Sequence, residues 1–265
     1  MLKVDHLSFQ YGKKTILSNI SFEIPSESIT VLLGPNGSGK TTLLRCLDLI
    51  LVPQQGSISL NDRPIQSFSP NDLARRIAYL PQRSPMAGLT VYDAILLGRK
   101  PYLSWNPAPK DHELVEKTIR RLNLGDIALQ TLDQLSGGEL QKVSLGRIFV
   151  QEPDLILLDE PMSALDLKNR LEIMRHLTHF VHHHKAAVLM SIHDLNDAFR
   201  IADRLLFLKN GILRADEKTS GVSEQILSDV YDIPLGIFTR ANSRLVVPKG
   251  EENHGIEKNV DKRSD

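Results

Sequence analysis

One octapeptide constrains this chain more than its composition does. Gly34-Pro35-Asn36-Gly37-Ser38-Gly39-Lys40-Thr41 fills the pattern G-x-x-x-x-G-K-[ST], with an apolar run, Ile29–Leu33, before it and a helical pattern over 40–51 after it. Glycines let a backbone curl as it leaves a strand, so that successive N–H groups point into one concavity. The start of the following helix adds the positive end of its dipole. Such a loop is a cradle for phosphate. Lys40 is spaced to reach β- and γ-phosphates, the Thr41 hydroxyl to ligate Mg²⁺, and Thr42 to add a phosphate hydrogen bond. A plain glycine turn has no need of Lys-Thr at that offset.

The remaining periodicity says what surrounds the loop. Apolar or alternating runs predict strands at 2–9, 16–24, Ile29–Leu33, 57–60, Ile77–Leu80, 155–158, Ala187–Ser191 and 205–208. Helical patterns cover 40–51, 111–122, 138–150, 166–182 and Leu195–Ile201. Strand and helix alternate from 155 to 208, which favours a parallel core with helices packed on it. Turn signals at Asn61-Asp62 and Asn210-Gly211 suggest a smaller antiparallel layer. The stretch from about 85 to 150 reads as helical and looks like an insertion, with an irregular loop where Pro101, Pro107 and Pro109 surround Trp105. Residues 249–265 are charged and nearly free of large apolar groups, so a disordered tail is expected.

Bulk properties mainly exclude. Lys plus Arg and Asp plus Glu each total 32, so net charge offers no argument for nucleic acid or an anionic membrane surface. The single cysteine, Cys46, forbids an intrachain disulfide and, among Leu43, Leu44, Leu47 and Leu49, reads as a small buried hydrophobe. The first residues lack the apolar core of a signal peptide, and no run approaches the roughly 18 apolar residues of a bilayer span. A soluble chain is expected, reaching any membrane through a partner.

Two further segments carry chemistry. In Leu155-Ile156-Leu157-Leu158-Asp159-Glu160, four apolar residues fit a strand buried on both faces and ending in two carboxylates. Ligands of open α/β sheets bind at that strand edge. Asp159 can hold the hydration shell of Mg²⁺, and Glu160 can polarise an attacking water as general base. In Leu135-Ser136-Gly137-Gly138-Glu139-Leu140-Gln141, Ser136 and Glu139 have capping-box spacing. The box does not explain Gly137-Gly138, which cost helix propensity; bare backbone there would let an anion approach the helix start.

With these three segments in this order, the chain resembles the ATP-binding cassette (ABC) proteins, whose signature Leu-Ser-Gly-Gly is intact. The resemblance covers residues 1 to about 215. It implies an α/β fold: a P-loop NTPase core with a mixed, mainly parallel sheet, an antiparallel β layer and a helical subdomain, as one cassette over 1–248. It also implies ATP and Mg²⁺ as ligands, and a head-to-tail homodimer holding ATP between one Lys40 loop and the partner's Ser136–Gly138 segment. Further roles come only from the resemblance. Tyr11 matches the aromatic that stacks on adenine. Gln82 matches the glutamine that contacts Mg²⁺ or the water and senses the membrane partner. Asp166 matches the loop coupling the two sites, and His193 matches the switch histidine near the γ-phosphate.

The resemblance further implies two membrane-spanning permease subunits docked near Gln82, and a place on the cytoplasmic face of the membrane. Thr90 to Tyr102, with Leu97-Gly98-Arg99 followed by Pro101-Tyr102, is similar to cassettes that power uptake of iron–siderophore, haem or cobalamin complexes, which implies an extracytoplasmic binding protein. Relatives acting on DNA or ribosomes carry long coiled coils, zinc-binding cysteines or two cassettes per chain, none of which is seen here. Two departures stand out: Met162 replaces a usual Thr, and Val143-Ser144-Leu145-Gly146-Arg147 replaces an Ala-Arg-Ala pattern. Last, His176, His179 and His183 are expected on a solvated helix face with Glu172, rather than at a metal.

Overall fold

The computed structural model describes residues 1–82, 88–103, 106–240 and 243–249. The chain opens with β1 (Leu2–Tyr11), β2 (Lys14–Ile24) and β3 (Ile29–Leu33), then α1 (Lys40–Leu47), β4 (Gln55–Leu60), β5 (Arg63–Pro64), α2 (Pro70–Arg76) and β6 (Ile77–Leu80). A helical stretch follows: α3 (Val91–Leu96), α4 (Pro109–Arg121) and α5 (Gly137–Phe149). Strand and helix then alternate through β7 (Leu155–Asp159), α6 (Leu167–His184), β8 (Ala187–Ser191), α7 (Leu195–Ile201) and β9 (Arg204–Lys209). β10 (Ile212–Lys218), α8 (Glu224–Tyr231), β11 (Leu235–Arg240) and β12 (Ser243–Pro248) complete the described chain.

The main sheet has the order β10-β9-β3-β8-β7-β6. Its five strands from β9 to β6 pair in parallel, and β10 adds an antiparallel edge. A second, antiparallel sheet has the order β2-β1-β4-β5. The central strands β3, β7 and β8 are buried at every position and almost wholly apolar because both faces are covered. On β7, Ile156 and Leu158 face the helical side while Leu155 and Leu157 face α1 and the antiparallel sheet. Fully burying each such side chain contributes roughly 1.5–3 kcal/mol, so the sheet is the fixed frame. Since β6, β3, β8 and β7 are parallel, the chain leaves all four at one edge.

Most of the expected layout holds, with corrections. The first helix stops at Leu47, because Asp48 caps it and Leu49 turns left-handed at φ 56°. The Asn61-Asp62 turn joins β4 to β5 in the antiparallel sheet, but Asn210-Gly211 belongs to the edge of the parallel one. Two short helices were not delimited by the pattern although both had legible caps: α2, with Ser69 before Pro70, and α3, inside the stretch expected to be helical, with Thr90 and Asp93. α8 and the β11–β12 hairpin were missed as well. His176 is not on a solvated face: its side chain is 15% exposed and lies 3.7 Å from Glu172, itself 18% exposed. His179 and His183 are exposed as expected. Among the described residues no cluster of His, Cys, Asp and Glu suits a metal ion. Nor is any helix there long and apolar enough to cross a membrane. Trp105 and residues 250–265 lie outside the described residues.

The Leu97–Tyr102 segment is built inward. Arg99 is 4% exposed, and its Nε donates to Asp111 Oδ1 at 2.8 Å while Nη1 donates to the Val150 carbonyl at 2.7 Å. The guanidinium lies 3.9 Å from the Tyr102 ring centre, and Tyr102 OH donates to the Gln151 carbonyl. A Cβ on Gly98 would meet Arg147 O at 2.0 Å. This segment therefore staples the end of α5 to α4. Gly146 is explained likewise: a Cβ there would sit 3.0 Å from both Ile95 and Leu122.

Candidate nucleotide site

β3 delivers the chain into the glycine loop, and the rest of the fold closes in behind it. Gly34 has φ 150°, and a Cβ on it would lie 1.9 Å from the Leu208 carbonyl oxygen. Gly39 has φ 108°, and a Cβ there would meet Leu17 Cδ2 at 2.9 Å. Gly211 N donates to Ser38 O at 3.0 Å, so the β9–β10 turn braces the loop from below. Asn36 and Gly37 form the exposed rim, with Pro35 half-buried beside them.

Lys40 is 7% exposed, and its Nζ donates to the carbonyls of Gly34 at 2.7 Å and Pro35 at 3.1 Å. Burial lowers its pKa, with the carboxylates of Glu160 and Asp159 pulling it back up. An ammonium ion held beside backbone amides at a helix start suits phosphate oxygens. Thr41 and Thr42 stand half-buried in the first turn of α1. Ser38 Oγ is buried inside the loop without a hydrogen-bond partner among the described residues. A buried hydroxyl of that kind fits a ligand oxygen.

Parallel pairing of β7 with β8 sets Asp159 opposite Ser191. Ser191 Oγ donates to Asp159 Oδ1 at 2.8 Å and accepts from Glu160 N at 2.9 Å. One hydroxyl thereby aims the Asp159 carboxylate and fixes the backbone of Glu160. Sequence reasoning missed Ser191, because nothing local distinguishes a serine ending a buried strand. Glu160 adopts φ 51°, a left-handed conformation costing about 1–3 kcal/mol in a non-glycine residue. Its carboxylate is held at both oxygens: Gln82 Nε2 donates to Oε2 at 2.7 Å, and His193 Nε2 lies 2.5 Å from Oε1. The loops after β3, β6, β7 and β8 thus bring Lys40, Gln82, Asp159, Glu160 and His193 to one place. A cavity of about 290 Å³ opens beside it, lined by Glu160, Met162, Ser163, Arg170, His193 and Asp194 among others. Met162, one of the sequence departures, is a buried wall of that cavity.

Three other expected positions stand apart from this group. Tyr11 ends β1, 48% exposed, with its ring edge-on to Phe9 at 4.9 Å. Asp166 N-caps α6, accepting from Asn169 N at 2.8 Å. Ser136 N-caps α5 in the expected capping box: its N and Oγ both donate to Glu139 Oε2, at 2.8 and 2.6 Å. Those two bonds hold the Glu139 carboxyl below its ordinary pKa. A Cβ on Gly137 would meet nothing within 4 Å, so this corner of the molecule faces outward bare.

A lysine-bearing glycine loop after β3, facing an Asp-Glu pair that ends β7 two strands away in the same sheet, is a nucleotide-hydrolysing arrangement. The sequence pattern of the ABC transporter family matches residues 17–163. The chain belongs to the ABC transporter family. A probable iron chelatin transport ATP-binding protein of Helicobacter pylori is 38% identical to this cassette, over 93% of this chain and 98% of its own length. A metal-chelate type ABC transporter, solved in an inward-facing conformation, superposes with a TM-score of 0.80 at 28% identity, covering 94% of this chain and 98% of that one. An ATP-binding cassette solved as a dimer in a post-hydrolysis state, with ADP and phosphate bound, superposes with a TM-score of 0.73 at 25% identity, covering 84% of this chain and all of that one. The cassette is an ATPase, and the mixed sheet with its helical layer is the expected fold.

Proposed function

We propose that this cassette powers uptake of an iron complex, a siderophore or haem, or of cobalamin. It would do so as a homodimer bound to two membrane-spanning permease subunits on the cytoplasmic face. An extracytoplasmic substrate-binding protein would hand over the cargo. Similarity to the Helicobacter pylori iron chelatin transport protein and to the metal-chelate type transporter supports the cargo class. The Leu97–Tyr102 segment supports it only indirectly, since Arg99 and Tyr102 bind their own chain.

One observation carries the enzymatic assignment: the Glu160 carboxylate is gripped at both oxygens by Gln82 and His193, beside Asp159 and within reach of the Lys40 charge. From it the roles follow. Lys40 and the backbone N–H groups of 36–41 bind the triphosphate; buried and pulled between two carbonyls, Lys40 is released when phosphate oxygens replace them. Glu160 takes the proton of the attacking water, and Gln82 and His193 hold the carboxylate where that water must stand. His193, beside the same carboxylate, stands where charge would build on the γ-phosphate. Thr41, Asp159 and Gln82 are oxygen donors of the hard-cation type, and fit Mg²⁺ held by one carboxylate plus phosphates. The metal, when bound, neutralises charge on the β- and γ-phosphates. Tyr11, exposed at the end of β1, would stack on the base.

The outward-facing Gly137 supports the second half of the site: a partner's nucleotide would meet Ser136, Gly137 and Gly138 at the bare start of α5. Glu160→Gln tests this. Slow turnover with a stable ATP-dependent dimer is expected, and rapid turnover at monomer dilution would end the reading. The cargo is tested by co-purifying the permease and comparing uptake of a ferric siderophore with that of cobalamin.

A further inference from the structure

The two glycines of the Ser136 segment are glycine for different reasons. Gly137 is open, whereas a Cβ on Gly138 would sit 2.8 Å from both Cγ and Nδ2 of Asn169 and 3.0 Å from its Oδ1. The Asn169 carboxamide therefore lies flat against the Gly138 backbone. The same side chain donates from Nδ2 to Asp166 Oδ2 at 3.2 Å, while Asn169 N donates to Asp166 Oδ1 at 2.8 Å. Upstream, Ser163 N and Oγ both donate to the Glu160 carbonyl, and Leu165 N donates to Met162 O. A tight turn thus ties Glu160 to Asp166, and Asn169 ties Asp166 to Gly138.

The contact is the first of a seam along α5 and α6. Lys142 Nζ lies 2.8 Å from Glu172 Oε2, with both side chains largely buried, and His176 lies 3.7 Å from the other oxygen. Phe149 stacks on Phe180 at 4.5 Å with the rings 10° apart. Phe149 follows Gly138 by as many residues as Phe180 follows Asn169, so the helices run side by side in one direction. Packed helices joined at both ends move as a body.

We propose that Asn169 is a positioning residue that locks the Asp166 loop to the Gly138 backbone within one chain. The two segments offered to a second cassette then report the same conformational state. The proposal rests on the head-to-tail dimer proposed above. Nucleotide gripped at Ser136–Gly138 would fix the Asp166 loop through Asn169, and with it the turn leading back to Glu160.

Asn169→Ala tests this in two backgrounds. Combined with Glu160→Gln, it should leave the melting temperature and the affinity for a fluorescent ATP analogue unchanged, and weaken the ATP-driven dimer roughly tenfold, within the range of contact-pair couplings. In the otherwise native chain it should lower the Hill coefficient for ATP turnover towards one. Unchanged dimer affinity and cooperativity in Asn169→Ala, while Glu160→Gln alone still dimerises with ATP, would overturn the proposal. So would a dimer defect matched by a fall in melting temperature. If Glu160→Gln does not dimerise with ATP, the dimer reading fails and takes this one with it.

Discussion

Two glycine-bearing segments each open a helix in this cassette, and the fold treats them in opposite ways. The Gly34–Gly39 loop is enclosed: Leu208, Leu17 and Gly211 press on it from the chain's own strands, and Lys40 is bound to its carbonyls. The Ser136–Gly138 segment has its polar groups satisfied by Glu139, one glycine filled by Asn169 and the other left bare. The first segment is thus finished by intramolecular packing, whereas the second, proposed as the other half of the nucleotide site, is finished only as a surface. The difference teaches where the cost of building a site is met. The enclosed loop draws on folding energy, and the bare helix start draws on association.

The sharpest way to break this contrast is a matched pair of substitutions. Gly34→Ala should cost more than about 4 kcal/mol or prevent folding, because its methyl lands on the Leu208 carbonyl. Gly137→Ala should be neutral, or stabilising by about 0.5–1 kcal/mol through helix propensity, while its ATP-dependent dimer is lost. Urea unfolding and sedimentation with ATP read the two effects; equal stabilities would collapse the comparison.

The far ends of the two helices differ as well. The carbonyl ending α5 at Val150 is bonded by Arg99, a cation where the helix dipole favours one. Arg99→Ala should cost about 3–5 kcal/mol in urea unfolding, because it strands the buried Asp111 carboxylate. Burial alone would raise the Asp111 pKa, but the hydrogen bonds and charge of Arg99 and the Ala108 amide hold it below its ordinary 3.8. That stabilisation is full above pH 3.8 and drains as pH falls through the lower folded value, so the variant should lose the acid-side slope.

At the end of α1 stands an acid instead. Burial pushes Asp48 up to about 7 from 3.8. The folded form therefore holds its proton more tightly than the unfolded one, and stability falls as pH rises from 3.8 towards 7. Asp48→Asn should stabilise by about 1–3 kcal/mol at pH 8, allowing for solvent around a partly exposed group, with the gain fading as pH drops to 4. Melting temperatures across that range decide it. A smaller loss of stability is expected at the α5 start: Ser136→Ala should cost about 0.5–2 kcal/mol as a lost N-cap, yet impair ATP-driven dimerisation far more.

What could be read beforehand follows the same divide. Lys40, Thr41, Asp159 and Ser136 were legible because their chemistry is local: a loop, a strand end and a helix cap are each written within a few consecutive residues. Gln82, His193, Tyr11 and Asp166 were weak as isolated residues and became specific only through their order along the chain. Ser191 was invisible, since it is defined by lying opposite Asp159 on a neighbouring strand. His176 was misplaced because a wheel drawn from one helix cannot show α5 packed on its polar side. Arg99 read as part of a docking region and proved to be a buried staple.

The residues alone determined the glycine turn of 34–39, the acids at the edge of a buried strand, and the capped helix start with its bare glycine. All three depend on backbone conformations and spacings that adjacent residues impose. Only the tertiary structure decided that Ser191 ties the Asp159 carboxylate to the Glu160 backbone, that Gly34 has no room for a methyl, and that Asn169 occupies the space beside Gly138. Those contacts arise from strand order and helix packing between segments far apart in the chain, and a one-dimensional pattern carries no distance across a sheet.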